Sequence, residues 1–257
     1  DIKTTYVLPV TIKSVEGIGV LQSAKTYYYV FRGASLINVV CNISRNRAYP
    51  DFKNDSKFNN LTENTMEILF KANSFPNTLN TLMGIESNYL LRIGDATIPN
   101  NQLQVATSVN NCTSADLQLE SGKGYHVAVA FNKGNVKVYI NGVEKLSGST
   151  GKSSVSLGAK HTNEEDGSRC FWVGYSYKDD RYFDGVVSEV RIWNRALTAE
   201  EIQATNHFYT IEPESEGLIA YWKFDEGSGT VAKDYSVSGY DLTIEKEPKW
   251  ESVSLPQ

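Results

Sequence analysis

The chain of 257 residues is 40% hydrophobic, has a formal net charge of -5 and contains three cysteines and three histidines. This length and composition suffice for a normal globular core. A negative chain without a basic run argues against nucleic acid as a partner, because that binding relies on clustered Lys and Arg. No stretch of 18 apolar residues occurs, so no transmembrane segment is predicted.

The first 37 residues contain two short apolar runs, YVLPVTIKSVEG at 6–17 and KTYYYVFRG at 25–33. Both have the composition of β-strands, but so few residues cannot bury a core alone. We interpret residues 1–37 as the truncated C-terminal strands of a small β-sandwich domain. Residues 38–257 then form a separate, larger domain.

From residue 38 onward, short alternating apolar runs are punctuated by Gly, Asn and Ser, which is typical of an all-β fold. In TMEILFKANSF, Met66, Ile68 and Phe70 fall on one face of a strand. The block GYHVAVAFNKGNVKVYINGVEKLSG at 124–148 predicts three consecutive antiparallel strands. Asn141-Gly142 within it indicates a type I′ hairpin turn, since both positions require positive φ.

A strand is predicted over Val186 to Trp193, and one short helix follows it. Thr198 and Glu201 form a capping box at the start of that helix, and flanking residues Leu197 and Ile202 occupy the positions of a hydrophobic staple. The helix is expected to end before residue 206.

The segment GLIAYWKF at 217–224 predicts a further strand, with Leu218, Ala220, Trp222 and Phe224 on one face. Two more strands are expected around 242–244 and 250–253.

Several enzymatic patterns are absent or incomplete. GSTGKSS at 148–154 resembles a phosphate loop but lacks its first glycine and the helix that should follow. No Gly-x-Ser-x-Gly elbow occurs. Glu164, Glu165 and Asp166 lie in a loop-like stretch, and the adjacent Asp225 and Glu226 would point to opposite faces of a strand, so neither set predicts a glycosidase carboxylate pair. No catalytic residue is assigned.

The sequence contains candidate ligands for soft and for hard cations. The candidate soft ligands are Cys41, Cys112, Cys170, His126, His161 and His207. Their wide separation along the chain argues against zinc, and the odd number of cysteines leaves at least one thiol unpaired.

Calcium needs only convergent oxygens from loops, and acidic residues surround the turn after GLIAYWKF. Asp225 and Asp234 are the candidate ligands of one structural calcium ion. The alternative is that these aspartates cap backbone amides in turns, which is a common role of Asp. No other cofactor is expected.

An aromatic and charged turn lies in WVGYSYKDDRYF at 172–183. Sugar recognition combines aromatic faces with planar polar groups, and this turn supplies both. The residues that we predict to contact a ligand are Tyr177, Asp179, Asp180, Arg181 and Tyr182. Core packing with a solvated loop is the alternative explanation for the same composition.

Three segments resemble the signature segments of laminin G-like, concanavalin A-like lectin/glucanase domains. They are YHVAVAFNKGNVKVYINGVE, FWVGYSYKDDRYFDGVVSEVRIWNRALTAEEI and GLIAYWKFDEGSGTVAKDYSVSGYDLTI. The resemblance covers about 220 residues and implies a jelly-roll β-sandwich of two antiparallel sheets. In most relatives the GLIAYWKFDEGSG type of segment opens the domain, whereas here it follows the helix.

The resemblance also implies a function. Such domains are usually not catalytic, and we expect a lectin-like module that binds polysaccharide or glycoconjugate. A structural or adhesion module that binds another protein is the second hypothesis, and a sandwich-fold glycoside hydrolase is the third. The N-terminal strands are similar to the end of a small domain that precedes such modules in bacterial glycan-utilisation proteins. An extracellular or bacterial outer-surface location is therefore expected.

Overall fold

The computed structural model describes residues 5–11, 26–32, 37–161, 170–176, 179–204, 207–208 and 211–254. The chain divides into two compact units, residues 1–38 together with 252–257, and residues 39–251. The first unit contains strands β1 (Thr5–Thr11) and β2 (Thr26–Arg32), which pair antiparallel. Its interpretation as the end of a small sandwich domain stays a prediction.

The remaining described strands begin with β3 (Ile37–Asn42), β4 (Ala48–Pro50), β5 (Glu63–Ala72), β6 (Asn80–Ile85), β7 (Tyr89–Asp95), β8 (Ile98–Thr107) and β9 (Asn111–Cys112). They continue with β10 (Gly124–Asn132), β11 (Asn135–Ile140), β12 (Val143–Ser149), β13 (Trp172–Val173), β14 (Gly185–Trp193), β15 (Leu218–Trp222), β16 (Val231–Ala232), β17 (Leu242–Ile244) and β18 (Lys249–Ser254). The described helices are α1 (Ala199–Gln203) and three 3-10 turns at Ser56–Phe58, Ala115–Leu117 and Asp179–Arg181. No helix among the described residues has the length and apolar character that crossing a membrane needs.

Two eight-stranded sheets build the larger unit. Sheet I has the order β12-β11-β10-β5-β14-β3-β18, with β15 also paired to β14, and sheet II has the order β16-β17-β4-β13-β6-β7-β8-β9. The registered strand pairs in both sheets are antiparallel. The predicted all-β jelly-roll sandwich of two antiparallel sheets is confirmed.

The inner faces of the two sheets form one continuous apolar core. Met66, Ile68 and Phe70 of β5 all lie in it, as their alternation predicts, and Leu91 and Ile93 of β7 meet them from sheet II. This burial is the main stabilising contribution to the fold, because apolar area removed from water contributes about 25 cal/mol per Å².

The hairpin at Asn141-Gly142 is confirmed by its backbone. Asn141 has φ of 49° and Gly142 has φ of 77°, and the two residues join β11 to β12. Positive φ at both positions is the requirement of a type I′ turn, whose twist matches that of the flanking strands. The three consecutive strands β10, β11 and β12 are therefore also confirmed.

The predicted helix start is confirmed as well. The Thr198 side chain accepts a hydrogen bond from the Glu201 amide, and the Glu201 carboxylate accepts one from the Thr198 amide. Leu197 and Ile202 are both buried in a second, smaller apolar cluster. The cap and the two apolar residues dock a helix of only five residues, which would not be stable alone.

Strand β15 occupies an unusual position, because it shares one side of β14 with β3. Val186 and Val187 at the start of β14 face β3, whereas Val190 to Trp193 at its end face β15. The early and late strands therefore lie along the same side of β14, one after the other. The segment GLIAYWKF, which comes late in this chain, can therefore pair with β14 beside the position of the early strand β3.

One detail of the prediction for β15 is wrong. Ala220, Trp222 and Phe224 lie in the main core, but Leu218 lies in the smaller cluster on the other side of sheet I. The reason is a register shift opposite Ile192 and Trp193, which breaks the period-2 alternation. Phe224 lies beyond the strand and has φ of 51°.

Truncation of the β15 core residue tests its role in closing the sandwich. Trp222 is fully buried and its indole Nε1 donates a hydrogen bond to the Tyr240 carbonyl at 2.8 Å. We expect Trp222→Ala to lower the free energy of unfolding by about 3–5 kcal/mol in chemical denaturation, because it leaves a large cavity. Val237→Ala is the control, since Val237 is 76% exposed, and a change within about 0.5 kcal/mol is expected there. Equal effects of the two substitutions would contradict this account.

Candidate functional site

The outer face of sheet II carries an aromatic surface that includes Tyr182, one of the residues that the sequence predicts for ligand binding. Side chains alternate across this sheet: on β13, Val173 points into the core, whereas Trp172 belongs to a separate outer cluster. On β4, Ala48 faces the core and Tyr49 packs against that same outer cluster. Polar and aromatic residues at every second position of these strands therefore form the outer face.

We call the rings on this face the aromatic cluster, which consists of Tyr49, His161, Trp172, Tyr175 and Tyr182. Tyr49 and His161 stack with their centroids 3.5 Å apart, and Trp172 meets both edge-on at 5.2 and 5.0 Å. Tyr175 connects Trp172 to Tyr182, at 5.2 and 4.8 Å. Edge-to-face contacts of this kind fix the orientation of the rings.

Arg47 lies across the aromatic cluster. Its guanidinium carbon is 5.2 Å from the Trp172 ring centroid and 4.7 Å from that of Tyr175. Nε and Nη2 of Arg47 donate to the two carboxylate oxygens of Glu245 at 2.5 Å each. This pair raises the pKa of Arg47 and lowers the pKa of Glu245, mainly through the hydrogen bonds that join them. A planar, partly exposed polar group therefore lies directly beside aromatic faces.

The 3-10 turn Asp179–Arg181 borders an open surface pocket, which we call pocket A. It has a volume of about 410 Å³. Its lining includes Asn77, Thr78, Asp95, Ala96, Asp180 and Arg181. Asp180 is exposed, and Arg181 Nη1 donates to Glu86 Oε2 at 3.0 Å.

The five sequence-predicted ligand residues are thus distributed over two neighbouring features. Asp180 and Arg181 line pocket A, and Tyr182 belongs to the aromatic cluster. Asp179 begins a 3-10 turn, but its side chain lies outside the described part of the structure, as does Tyr177 entirely. A binding role for all five stays a prediction.

Sequence reasoning missed a buried polar row on the same face. Arg92 donates from Nε to Gln104 Oε1 at 2.9 Å and also pairs with Asp95 of pocket A. Thr81 Oγ1 donates to Ser176 Oγ at 3.0 Å. The signal was present in YLLRIGD, where an arginine stands between apolar residues on a strand whose other face is fully apolar.

The acidic turn, which follows β15, contains the candidate calcium ligands Asp225 and Asp234. Asp234 is buried. Its Oδ1 accepts the Tyr221 and Ser236 amides at 2.9 and 2.8 Å, and its Oδ2 accepts the Tyr240 amide at 2.8 Å. Burial raises the pKa of Asp234 although these three amides act in the opposite direction. The Asp234 carboxylate thus joins β15 to the loop that follows it, which is the capping role considered as the alternative.

The neighbouring carboxylates are arranged differently. Asp225 is exposed, and Oε2 of Glu226 is buried without a hydrogen-bond partner among the described residues. Burial, together with the charges of Asp225 and Asp241, raises the pKa of Glu226. A cation would relieve this repulsion, so Asp225 and Glu226 fit calcium better than Asp234 does.

A third group of residues was not anticipated at all. Glu67 is fully buried on the outer face of sheet I, and its Oε2 accepts hydrogen bonds from Nε2 of His126 and Nε2 of His207, at 2.8 and 2.6 Å. Trp193 Nε1 donates to Glu67 Oε1 at 2.5 Å, and Arg191 Nη1 lies 3.6 Å from Oε2. Wide sequence separation made the histidines look isolated, but antiparallel pairing places β10 beside β5 and brings His126 to Glu67.

Glu67, His126 and His207 place their ligand atoms within 4.8 Å of one another, which is close enough to consider a metal ion. However, both Glu67 oxygens already have hydrogen-bond partners, and the Arg191 cation lies against the same carboxylate. Burial would raise the pKa of Glu67, but the two histidines and Arg191 outweigh it and hold that pKa well below its usual range. The arrangement fits a buried hydrogen-bonded ion network better than a metal centre.

The same network predicts that stability falls in mild acid. Burial is the main reason that the pKa of His126 lies below its ordinary value of 6.5, so the contribution of neutral His126 is complete above pH 6.5 and is lost as the pH falls below it. We expect the free energy of unfolding to decline between pH 6.5 and 4.5, by at most about 1.4 kcal/mol per pH unit for this one proton. Glu67, with its lowered pKa, adds a further loss only below its ordinary value of 4.5.

The matched variant is His126→Gln, which keeps a polar group but cannot titrate. We expect a shallower dependence of unfolding free energy on pH between 6.5 and 4.5, measured by urea denaturation at each pH. Asp116→Asn is the control, because Asp116 is exposed in the 3-10 turn Ala115–Leu117 and is not part of this network. Identical slopes for wild type and His126→Gln would show that His126 does not carry the effect.

Comparison with known proteins identifies a family. The family model described as the concanavalin A-like lectin/glucanases superfamily matches residues 46–203. No curated protein sequence matches the chain.

Solved structures resemble the chain over most of its length. A candidate carbohydrate-binding protein from Bacteroides ovatus ATCC 8483 has 25% sequence identity and a TM-score of 0.73, covering 100% of this chain and 71% of its own. Domain 4 of AbnA, an extracellular GH43 arabinanase from Geobacillus stearothermophilus in complex with arabinotriose, has 22% identity, covers 64% and 74% of the two chains, and has a TM-score of 0.46. The heptameric SAP-like pentraxin from Limulus polyphemus has 14% identity, covers 73% and 92%, and has a TM-score of 0.48. With more than half of its residues matched by the family model, this chain belongs to the concanavalin A-like lectin/glucanases superfamily.

Proposed function

We propose that this module binds a polysaccharide or glycoconjugate without cleaving it, through the outer face of sheet II. The observation that carries the proposal is pocket A, which is bordered by the predicted residues Asp180 and Arg181 and adjoins the aromatic cluster at Tyr182. The Bacteroides ovatus relative, itself a candidate carbohydrate-binding protein, supports the same class of ligand.

The chemistry of this face suits a hydroxyl-rich ligand. Pocket A, at about 410 Å³, falls in the usual size range of small-molecule sites. Its carboxylates, the Asn77 amide and the Arg181 guanidinium offer both acceptors and donors for sugar hydroxyls. In the aromatic cluster next to it, Trp172 and Tyr175 are buried, and Tyr49 and Tyr182 are partly exposed and offer apolar ring surface.

A protein partner is the second hypothesis, and the surface gives it less support. Among the described residues, the large hydrophobic side chains that are exposed are four valines, Val109, Val143, Val231 and Val237. Stable protein interfaces have a more apolar and aromatic centre. Adhesion through another protein would thus rely on polar contacts.

Hydrolysis is the third hypothesis. A glycosidase needs one carboxyl group that stays protonated near neutral pH, which requires an apolar or repulsive environment. In pocket A, Asp95 is paired with Arg92, and the side chain of Asp180 is 79% exposed. Neither carboxyl group has the surroundings of a general acid, which supports binding without cleavage. The location outside the cell or on the bacterial outer surface stays a prediction from the sequence.

Affinity electrophoresis in gels containing soluble polysaccharides tests the proposal. We expect retardation by at least one polysaccharide, and we expect Asp180→Ala to weaken the apparent affinity by about 10-fold or more, since hydrogen bonds to charged groups contribute about 1.5–3 kcal/mol. The control is Asp116→Ala, because Asp116 is also an exposed aspartate in a 3-10 turn. Absence of retardation by every polysaccharide and glycan tested would refute the lectin function.

Calcium binding is a separate proposal for the acidic turn, supported by the unpartnered Oε2 of Glu226 next to Asp225. Calcium accepts six to eight oxygen ligands, including backbone carbonyls of loops such as this one. The ion would be structural, because the turn follows β15 directly and leads to the loop held by Asp234.

Thermal unfolding with and without chelator tests this site. At calcium a hundredfold above its dissociation constant, binding stabilises the fold by about 2.7 kcal/mol, which corresponds to a rise in Tm of roughly 5–10 °C for a domain of this size. We expect Asp225→Asn to abolish the shift and Asp116→Asn to preserve it. An unchanged Tm of the wild type in chelator would eliminate the calcium site.

A further inference from the structure

A second open pocket, which we call pocket B, lies at another part of the β6–β7 hairpin. It has a volume of about 420 Å³, and its lining includes Asn60, Glu86, Asn88, Lys152, Ser154 and Ser156. The turn between β6 and β7 forms one wall, and the segment after β12 forms the other. The segment GSTGKSS at 148–154, which resembles an incomplete phosphate loop, contributes Lys152 and Ser154 to this lining.

The polar groups of pocket B are held in place by one another. Lys152 Nζ donates to the carbonyl and the side-chain oxygen of Asn88, at 3.4 and 3.0 Å. The backbone N–H of Asn60 donates to Ser156 Oγ at 3.0 Å. Serine hydroxyls, side-chain amides and one lysine therefore line a pocket whose donors and acceptors match those of a sugar.

The two pockets lie at opposite ends of the β6–β7 hairpin. Pocket A is lined by residues 76–79, just before β6, and by Asp95 and Ala96 at the end of β7. Pocket B is lined by residues 85–88, where β6 ends and β7 begins. Six residues of strand at about 3.3 Å each separate the two ends by roughly 20 Å.

One ion pair joins the two pockets. Arg181 lines pocket A, Glu86 lines pocket B, and Arg181 Nη1 lies 3.0 Å from Glu86 Oε2. Both side chains remain partly exposed, Arg181 by 19% and Glu86 by 14%. The surface between the pockets is thus polar and reachable by solvent at this pair.

We propose that a single extended glycan chain occupies both pockets and crosses the Arg181–Glu86 pair. This proposal rests on the carbohydrate-binding function proposed above. The module then recognises an internal stretch of several sugar residues rather than a terminal sugar, because a monosaccharide could fill only one pocket.

The charges around the two pockets indicate the class of polysaccharide. Among the described residues that line the pockets, Asp95, Asp180 and Glu86 carry negative charge, and Arg181 and Lys152 carry positive charge. These carboxylates would repel a polyanionic chain, because the cations that line the pockets do not outnumber them. The ligand class is therefore a neutral polysaccharide.

Calorimetry with a length series tests the two-pocket arrangement, using oligosaccharides from a polysaccharide that retards the wild type. We expect affinity to rise at least 10-fold from the disaccharide to chains long enough to fill both pockets. Ser154→Trp fills pocket B and should reduce the affinity for long chains to that for short ones, while binding of the shortest ligand that fits pocket A is unchanged. Lys152→Met should act in the same direction with less disturbance of the backbone.

Two controls separate this proposal from the function on which it rests. Ala96→Trp, which fills pocket A, should weaken binding at every length, whereas Ser147→Trp, at an exposed serine on β12 of sheet I, should leave all affinities unchanged. Equal affinity for all lengths, with Ser154→Trp and Lys152→Met both behaving as wild type, overturns the two-pocket proposal and leaves carbohydrate binding intact. Binding of no glycan by the wild type overturns both. Salt-sensitive retention of acidic polysaccharides alone would contradict the neutral ligand class.

Discussion

The burial of two inner sheet faces against each other determines what every other part of this protein can do. Met66, Ile68 and Phe70 of sheet I and Leu91 and Ile93 of sheet II use one side of their strands for the common core. Since side chains alternate along a strand, the opposite side of each sheet must then be covered or left for solvent and ligands. In this sandwich one outer face is covered, and the other is left for solvent and ligands.

The outer face of sheet I is closed by the short helix α1 and by the network around Glu67. Leu197 and Ile202 cover apolar side chains there, and the buried carboxylate is matched by Trp193, two histidines and Arg191. A buried ion pair of this kind adds less stability than apolar packing would, but loss of one partner is strongly destabilising. The outer face of sheet II instead presents the aromatic cluster and borders pocket A, which is why the proposed function is placed there.

Predictions from the sequence were confirmed where the interactions involve residues close together in the chain. The Asn141-Gly142 turn, the Thr198–Glu201 capping box and the alternation in β5 each depend on residues within a few positions of one another. The composition of the turn at 172–183 predicts Asp180 and Arg181 as ligand residues; both line pocket A, and their binding role stays a prediction. The Leu218 assignment failed because Ile219 is an extra residue of β15 opposite Ile192 and Trp193, and this register shift depends on the pairing with β14.

The all-β class, the strand-forming runs and the turn and cap positions could be predicted from the sequence, because they follow from short-range conformational preferences. The family resemblance could also be predicted, since it rests on the residues of three segments. The contacts between residues far apart in the chain are set by the tertiary structure. His126 and His207 converge on Glu67 across 59 and 140 positions, and Arg181 reaches Glu86 across 95. Strand pairing and the crossing of loops over a sheet create these contacts, and neither leaves a periodic signal in the residues that they bring together.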